Sequence, residues 1–75
     1  MPKKIKKIGT TFAKLPSDEG EHVVLSYYNK DNKLLYVLTR DDRRIHRRYD
    51  LTPEGKFQLT GEDQDANQLQ WRRVQ

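Results

Sequence analysis

A chain of 75 residues has room for one domain with a modest core, because a domain of about 60 residues buries only about 60% of its unfolded surface. Its composition is 33% hydrophobic and 35% charged, against a usual charged share of about 25%, so a small core lies under a heavily charged surface. The absence of cysteine excludes disulfides, zinc sites built on thiolates and cysteine nucleophiles.

The start of the chain is basic, as in a secretory signal peptide, but no apolar run of about seven residues follows it. The sequence also lacks a run of about 18 apolar residues that could cross a bilayer. We therefore expect a cytoplasmic protein with no membrane partner.

The first segment, residues 1–7, is predicted to be a basic arm in front of a single small β domain over residues 8–75. The arm carries Lys3, Lys4, Lys6 and Lys7. Clusters of this kind suit polyanionic surfaces, although a charged terminus without a role has the same composition.

The segment after the arm is compatible with two structures. Apolar residues between Ile5 and Leu15 recur at helical steps of three and four, whereas Ile8, Thr10 and Phe12 alternate as in a strand. Glycine and threonine are weak helix formers, and Gly9 lies inside the segment. We predict a strand here, with a helix as the alternative.

From residue 22 onward, β-branched and aromatic runs alternate with turn-forming clusters. The runs predict strands at 22–28, 34–40, 43–51, 56–60 and 68–73. The clusters predict turns at 29–33, 41–42 and 52–55 and a polar loop at 61–67. The predicted fold is all-β, with about five antiparallel strands in a meander that forms a small SH3-like barrel or a curled sheet.

The predicted strand at 43–51 bears most directly on function, because alternate strand residues point to opposite faces. One face, expected to meet solvent, carries Arg44, His46, Arg48 and Asp50. The other carries Arg43, Ile45, Arg47, Tyr49 and Leu51, and its apolar members are expected in the core. Guanidinium groups about 7 Å apart along a strand suit successive backbone phosphates, although charges that keep an edge strand from aggregating give the same pattern.

Tyr27 and Tyr28 are adjacent in the predicted strand at 22–28, so they point to opposite faces. One of the two is expected to be exposed, where it could stack on a base or anchor a protein partner.

The inventory for catalysis or metal binding is poor. His22 and His46 are the two histidines, and they lie on different predicted strands, with no phosphate-binding glycine loop in the chain. Asp63, Asp65 and Asn67 have the spacing of half a calcium loop, but the glycine and the closing glutamate of that loop are missing, which indicates a polar turn. We expect no enzyme activity, no metal and no cofactor.

A net charge of +4 and a pI near 9.5 favour polyanionic partners. The sequence predicts a nucleic-acid-binding domain for DNA or RNA, and the alternative is a protein-interaction module, an inhibitor or accessory subunit, that docks on an acidic partner. We expect a monomer or a homodimer paired through a sheet edge. The predicted contact residues are Lys3, Lys4, Lys6, Lys7, Tyr27, Tyr28, Arg44, His46, Arg47 and Arg48.

Overall fold

The computed structural model describes residues 7–16 and 20–70. Five antiparallel strands form one open sheet in the spatial order β1-β5-β4-β3-β2, which confirms the predicted all-β meander. In chain order the elements are β1 (Thr11–Phe12), β2 (His22–Tyr28), β3 (Leu34–Arg40), β4 (His46–Leu51), β5 (Phe57–Asp63) and the helix α1 (Ala66–Gln70). The sheet is not closed into a barrel, so β1 and β2 are its two edges.

Two of the connections follow the predicted turn chemistry. In the β2–β3 turn, Oδ1 of Asn29 accepts hydrogen bonds from the N–H groups of Asp31 (2.8 Å) and Lys33 (3.0 Å). In the β4–β5 turn, Gly55 has a φ of 82° and donates its N–H to the carbonyl oxygen of Thr52 (2.9 Å). Gly55 adopts the left-handed backbone conformation that its turn needs, and the Asn29 side chain accepts hydrogen bonds from backbone N–H groups within its turn.

The sheet has a buried cluster on each face. On the face that we call the helix face, Tyr36 and Leu38 pack with Leu69 of α1. On the opposite face the cluster consists of Val37, Tyr49 and Leu59, covered in part by Phe12 and Leu15. Both faces of the central strands are therefore enclosed, which allows four successive residues of β3, from Tyr36 to Thr39, to be buried.

The N-terminal strand prediction is confirmed, since β1 pairs with β5 through Thr11 and Phe12. Next to this short pairing, Gly9 donates its N–H to the carbonyl oxygen of Leu59 (2.7 Å). This segment thus covers the opposite face as an extended chain rather than as a helix.

The β3–β4 connection is wider than the predicted two-residue turn. Oδ1 of Asp41 accepts hydrogen bonds from the N–H groups of Arg43 (2.9 Å) and Ile45 (3.0 Å), and Arg44 has a φ of 68°. Without a glycine to make a tight hairpin turn, the Asp41 side chain organises a longer loop. The prediction that β4 starts at residue 43 is therefore wrong, and Arg44 lies in the loop.

The predicted strand at 68–73 is wrong in its described part, because Ala66–Gln70 is helical. Oδ1 of Asp65 accepts a hydrogen bond from the N–H of Asn67 (3.0 Å), as an N-cap does, and Leu69 is buried against the sheet. The period-two pattern of so short a stretch did not distinguish a strand from one helical turn. Residues 71–73 lie outside the described part of the chain.

Candidate functional site

Arg47 of β4 is enclosed on the opposite face of the sheet, where three carboxylates surround it. Its Nη1 lies 2.9 Å from Oδ2 of Asp41 and 3.4 Å from Oε2 of Glu21, and its Nε lies 2.9 Å from Oε2 of Glu62. The second oxygen of Glu21 accepts hydrogen bonds from the hydroxyls of Thr39 (2.8 Å) and Tyr49 (2.5 Å). This buried network joins three strands, β3, β4 and β5, to the loop before β4 and to Glu21, which directly precedes β2.

The network shifts the ionisation of its members. Burial opposes the charge of Asp41, but hydrogen bonds from the N–H of Ile45, the Arg47 guanidinium and the N–H of Arg43 outweigh it and lower the pKa of Asp41. Burial likewise opposes the charge of Arg47, yet the hydrogen bond to Asp41 and the charges of Glu21 and Glu62 raise the pKa of Arg47. Each group therefore holds the other in its charged form.

Arg48 is enclosed on the helix face, with 2% of its surface exposed. Its Nε donates to Oδ1 of Asp50 (2.8 Å), and its Nη1 donates to the carbonyl oxygen of Leu69 (2.8 Å). The guanidinium carbon lies 3.8 Å from the centre of the Tyr36 ring, which is cation–π geometry. Arg48 thus holds α1 against the sheet, because it donates a hydrogen bond to a carbonyl group near the end of the helix that has no partner within the helix.

These contacts correct the predicted basic strand face. Arg47 and Arg48 do lie on opposite faces of the strand, but Arg48 does not point to solvent, because α1 covers its face. Arg44 is exposed in the loop, and His46 is half-buried, with its Nδ1 donating to the carbonyl oxygen of Gln64 (2.9 Å). The structure therefore does not bring Arg44, His46 and Arg48 together on one solvent face, as the sequence had predicted.

The predicted lysine arm lies mostly outside the described residues. Lys3, Lys4 and Lys6 belong to that undescribed segment, and Lys7 is exposed at the beginning of the described chain.

The pairing inside the domain changes how the net charge is distributed. Arg47, Arg48 and their four carboxylate partners together carry −2. The rest of the sequence, with thirteen Lys and Arg and seven Asp and Glu, therefore carries +6 although the whole chain carries +4. We call these six paired side chains the internal network. Because the network is negative overall, the rest of the chain is more basic than the composition suggests.

The edge strand β2 holds most of the exposed apolar surface. Among the described residues, five large apolar side chains are exposed, and four of them are Val23, Val24, Tyr27 and Tyr28. Tyr27 and Tyr28 are 50% and 53% exposed, so the exposure expected for one of them is found for both. Neither covering layer reaches far enough across the sheet to enclose the edge.

β2 carries no Lys, Arg, Asp or Glu along its seven residues. Charged residues do lie next to its ends. Arg40 is exposed opposite His22, and the β2–β3 turn exposes Lys30, Asp31 and Lys33. An uncharged, apolar edge strand is unusual, because natural sheets commonly protect an edge with charge, proline or a covering segment.

Sequence reasoning selected Tyr27 and Tyr28 but missed Val23 and Val24. The available signal was the absence of Lys, Arg, Asp and Glu over residues 22–28, which leaves any exposed side chain of this strand apolar or uncharged apart from its histidine. In addition, Val24 lies at a register shift and has no direct partner on β3, so its side chain stays exposed.

Other kinds of site find little support in the described residues. A cleft of about 540 Å³ lies between the β2–β3 and β4–β5 turns, and Lys33 is the one ionisable side chain among its lining residues. No group of three or more His, Asp and Glu side chains in the described chain is placed to hold a metal ion. None of its helices is long and apolar enough to cross a membrane.

No protein-family model matches the chain, and neither a curated protein nor a solved structure does. The site must therefore be interpreted from its own chemistry.

Proposed function

We propose that this chain is a non-enzymatic protein-interaction module that receives an extended, acidic segment of another protein as an added strand on β2. The observation that carries the proposal is the uncharged edge strand, which exposes Val23, Val24, Tyr27 and Tyr28 together.

An edge strand has a row of backbone N–H and C=O groups on its outer side, where a further strand can pair. Backbone hydrogen bonds would supply affinity that does not depend on sequence. The exposed apolar side chains of β2 would add cross-strand contacts on both faces of the extended sheet.

The charge distribution supports an acidic partner. The chain outside the internal network carries +6, and Arg40, Lys30 and Lys33 lie next to the two ends of β2. We expect a segment with apolar residues at alternate positions of the stretch that pairs with β2, and with Asp or Glu beyond that stretch. Such charges accelerate association and fix the orientation of the added strand.

The test is selection from a display library of short random peptides, followed by affinity measurement with two matched variants. Val24→Lys places a charge on the exposed edge, where it should weaken binding of the selected peptides about tenfold or more. Ile8→Lys makes the same change at an exposed apolar residue away from β2 and should leave binding unchanged. Peptides that bind both variants equally well, or a failure to select any peptide, would contradict the proposal.

A second candidate, binding of single-stranded nucleic acid, is favoured by the exposed ring of Tyr27 and the +6 charge of the remaining chain. In this version the contacts come from Tyr27, Arg44 and the lysine arm. The paired Arg47 and Arg48 have a structural role instead.

An oligothymidine binding assay tests this second candidate. We expect affinity to fall steeply between about 50 and 200 mM salt, and Tyr27→Val to weaken binding more than Tyr28→Val. Binding that is absent at about 50 mM salt would exclude it.

A further inference from the structure

Tyr27 is the outermost member of a stack that runs across three strands on the helix face. Its ring centroid lies 5.0 Å from that of Tyr36, with an angle of 15° between the planes. The guanidinium carbon of Arg48 lies 3.8 Å from the centre of the same Tyr36 ring. Because β3 lies between β2 and β4, the stack runs from Arg48 through Tyr36 to Tyr27 at the sheet edge.

The inner part of this stack is held firmly. Arg48 donates to Asp50 and to the carbonyl oxygen of Leu69, and Oδ1 of Asp50 also accepts a hydrogen bond from the Thr60 hydroxyl (2.9 Å). Tyr36 is 7% exposed, which fits a ring covered by its neighbours. Tyr27 therefore rests on a support that is anchored by hydrogen bonds among β4, β5 and α1.

The outer face of the Tyr27 ring is directed away from β3, toward the position of an added strand. Neighbouring strands lie about 4.8 Å apart, close to the 5.0 Å between the two tyrosine rings. A residue directly opposite Tyr27 on an added strand would thus lie at stacking distance. A flat side chain can continue the stack there, whereas a branched aliphatic side chain cannot cover the ring in the same way.

We propose that the partner segment carries an aromatic residue at the position opposite Tyr27. The Tyr27 ring would then determine which side chain is preferred at that position of the added strand. This inference rests on the proposed function, since it requires a strand on β2. An aromatic ring is the flat side chain expected in a segment with net negative charge, because arginine would oppose that charge. An added aromatic pair strengthens binding by about two- to tenfold.

The adjacent Tyr28 offers a matched control. It has the same side chain and a similar exposure, but it pairs with Leu34 and lies on the opposite face of the same strand. A contact specific to the stack should involve Tyr27 and not Tyr28.

The experiment uses the peptides selected by display on the full chain. We expect an aromatic residue to be enriched at one register position. Its replacement by Leu should weaken binding about two- to tenfold to the wild type and to Tyr28→Val, but not to Tyr27→Val. Circular dichroism and thermal melting verify that both variants remain folded.

The outcomes separate the two levels of the proposal. Peptides that bind and are sensitive to Val24→Lys, but show no enriched aromatic position or couple to Tyr28, would overturn this inference and leave the edge function intact. Failure to select peptides would overturn both. Oligothymidine binding that depends on Tyr27, without peptide binding, would assign the ring to a base and overturn both as well.

Discussion

Buried charge in this domain is tolerated because each ionised group meets an opposite charge or a hydrogen-bond donor. The side chains of Glu21 and Asp41 are almost fully enclosed, and both face Arg47. Removing one member of such a network leaves the others buried without compensation, which costs far more than the network contributes as a whole.

Arg47→Ala should therefore destabilise the protein by about 3 kcal/mol, at the low end for a broken buried ion pair because Glu62 is partly exposed. The exposed Arg43→Ala, which removes the same charge from the neighbouring loop, should change the free energy of unfolding by less than about 0.5 kcal/mol. Urea unfolding monitored by circular dichroism measures both. Similar losses for the two variants would mean that the buried network contributes nothing specific.

Because the pKa of Asp41 is lowered in the folded protein, the free energy of unfolding depends on pH in the acidic range. In the unfolded chain this carboxyl has its ordinary pKa of 3.8, so on acidification the unfolded state takes up the proton first. The stabilisation from Asp41 is fully present when the pH is above the ordinary pKa of the carboxyl. It is lost as the pH falls through the lowered pKa that Asp41 has in the folded protein.

Urea unfolding between about pH 6 and pH 2 tests this prediction, with Asp41→Asn as the comparison. Asp41→Asn should be less stable than the wild type near pH 6, and the gap should narrow as the pH falls below the ordinary aspartate value. A gap that stays constant across this range would show that the ionisation of Asp41 is not what stabilises the fold.

At the scale of elements, α1 depends on the sheet. A helix of five residues is too short to be stable alone. It is held by the N-cap of Asp65, the burial of Leu69 and the hydrogen bond from Arg48 to the Leu69 carbonyl.

Leu69→Ala should cost about 2 to 4 kcal/mol, because it leaves a cavity between α1 and the helix face of the sheet. Gln68→Ala changes an exposed neighbour in the same helix and should have almost no effect. Thermal unfolding of the two variants measures this difference. A similar small loss of stability for both would mean that α1 does not contribute to the core.

The strands were predictable where local signals agreed. Residues 22–28 and 34–40 form strands with the predicted bounds, because β-branched and aromatic runs end at the turn organised by Asn29. The helix at Ala66–Gln70 was not predicted, since its identity depends on the capping of Asp65 and on the burial of one leucine, and alternation over a few residues does not show either.

The candidate site was predictable only in part, for a reason that operates at long range. The alternation of β4 correctly separates Arg47 from Arg48, but charged side chains normally lie in solvent, and here both are buried. The partners that allow burial, Glu21 and the Leu69 carbonyl, lie 26 and 21 residues away in the sequence. Conversely, the uncharged β2 resembles an interior strand until the sheet order makes it an edge.

At the scale of the whole molecule, charge and apolar surface are separated. The internal network retains four carboxylates and two arginines, so the remaining chain carries +6, while β2 is apolar and uncharged. This separation fits an interaction in which backbone pairing at one edge is combined with long-range attraction to an acidic partner.

Amide hydrogen exchange, measured residue by residue with and without a selected peptide, shows which part of the protein binds the added strand. We expect alternate N–H groups of β2, which face outward in the free protein, to become strongly protected when the peptide binds. Protection gained instead in the loop at 41–45 or near Lys7, with β2 unchanged, would contradict the assignment of β2 as the binding edge.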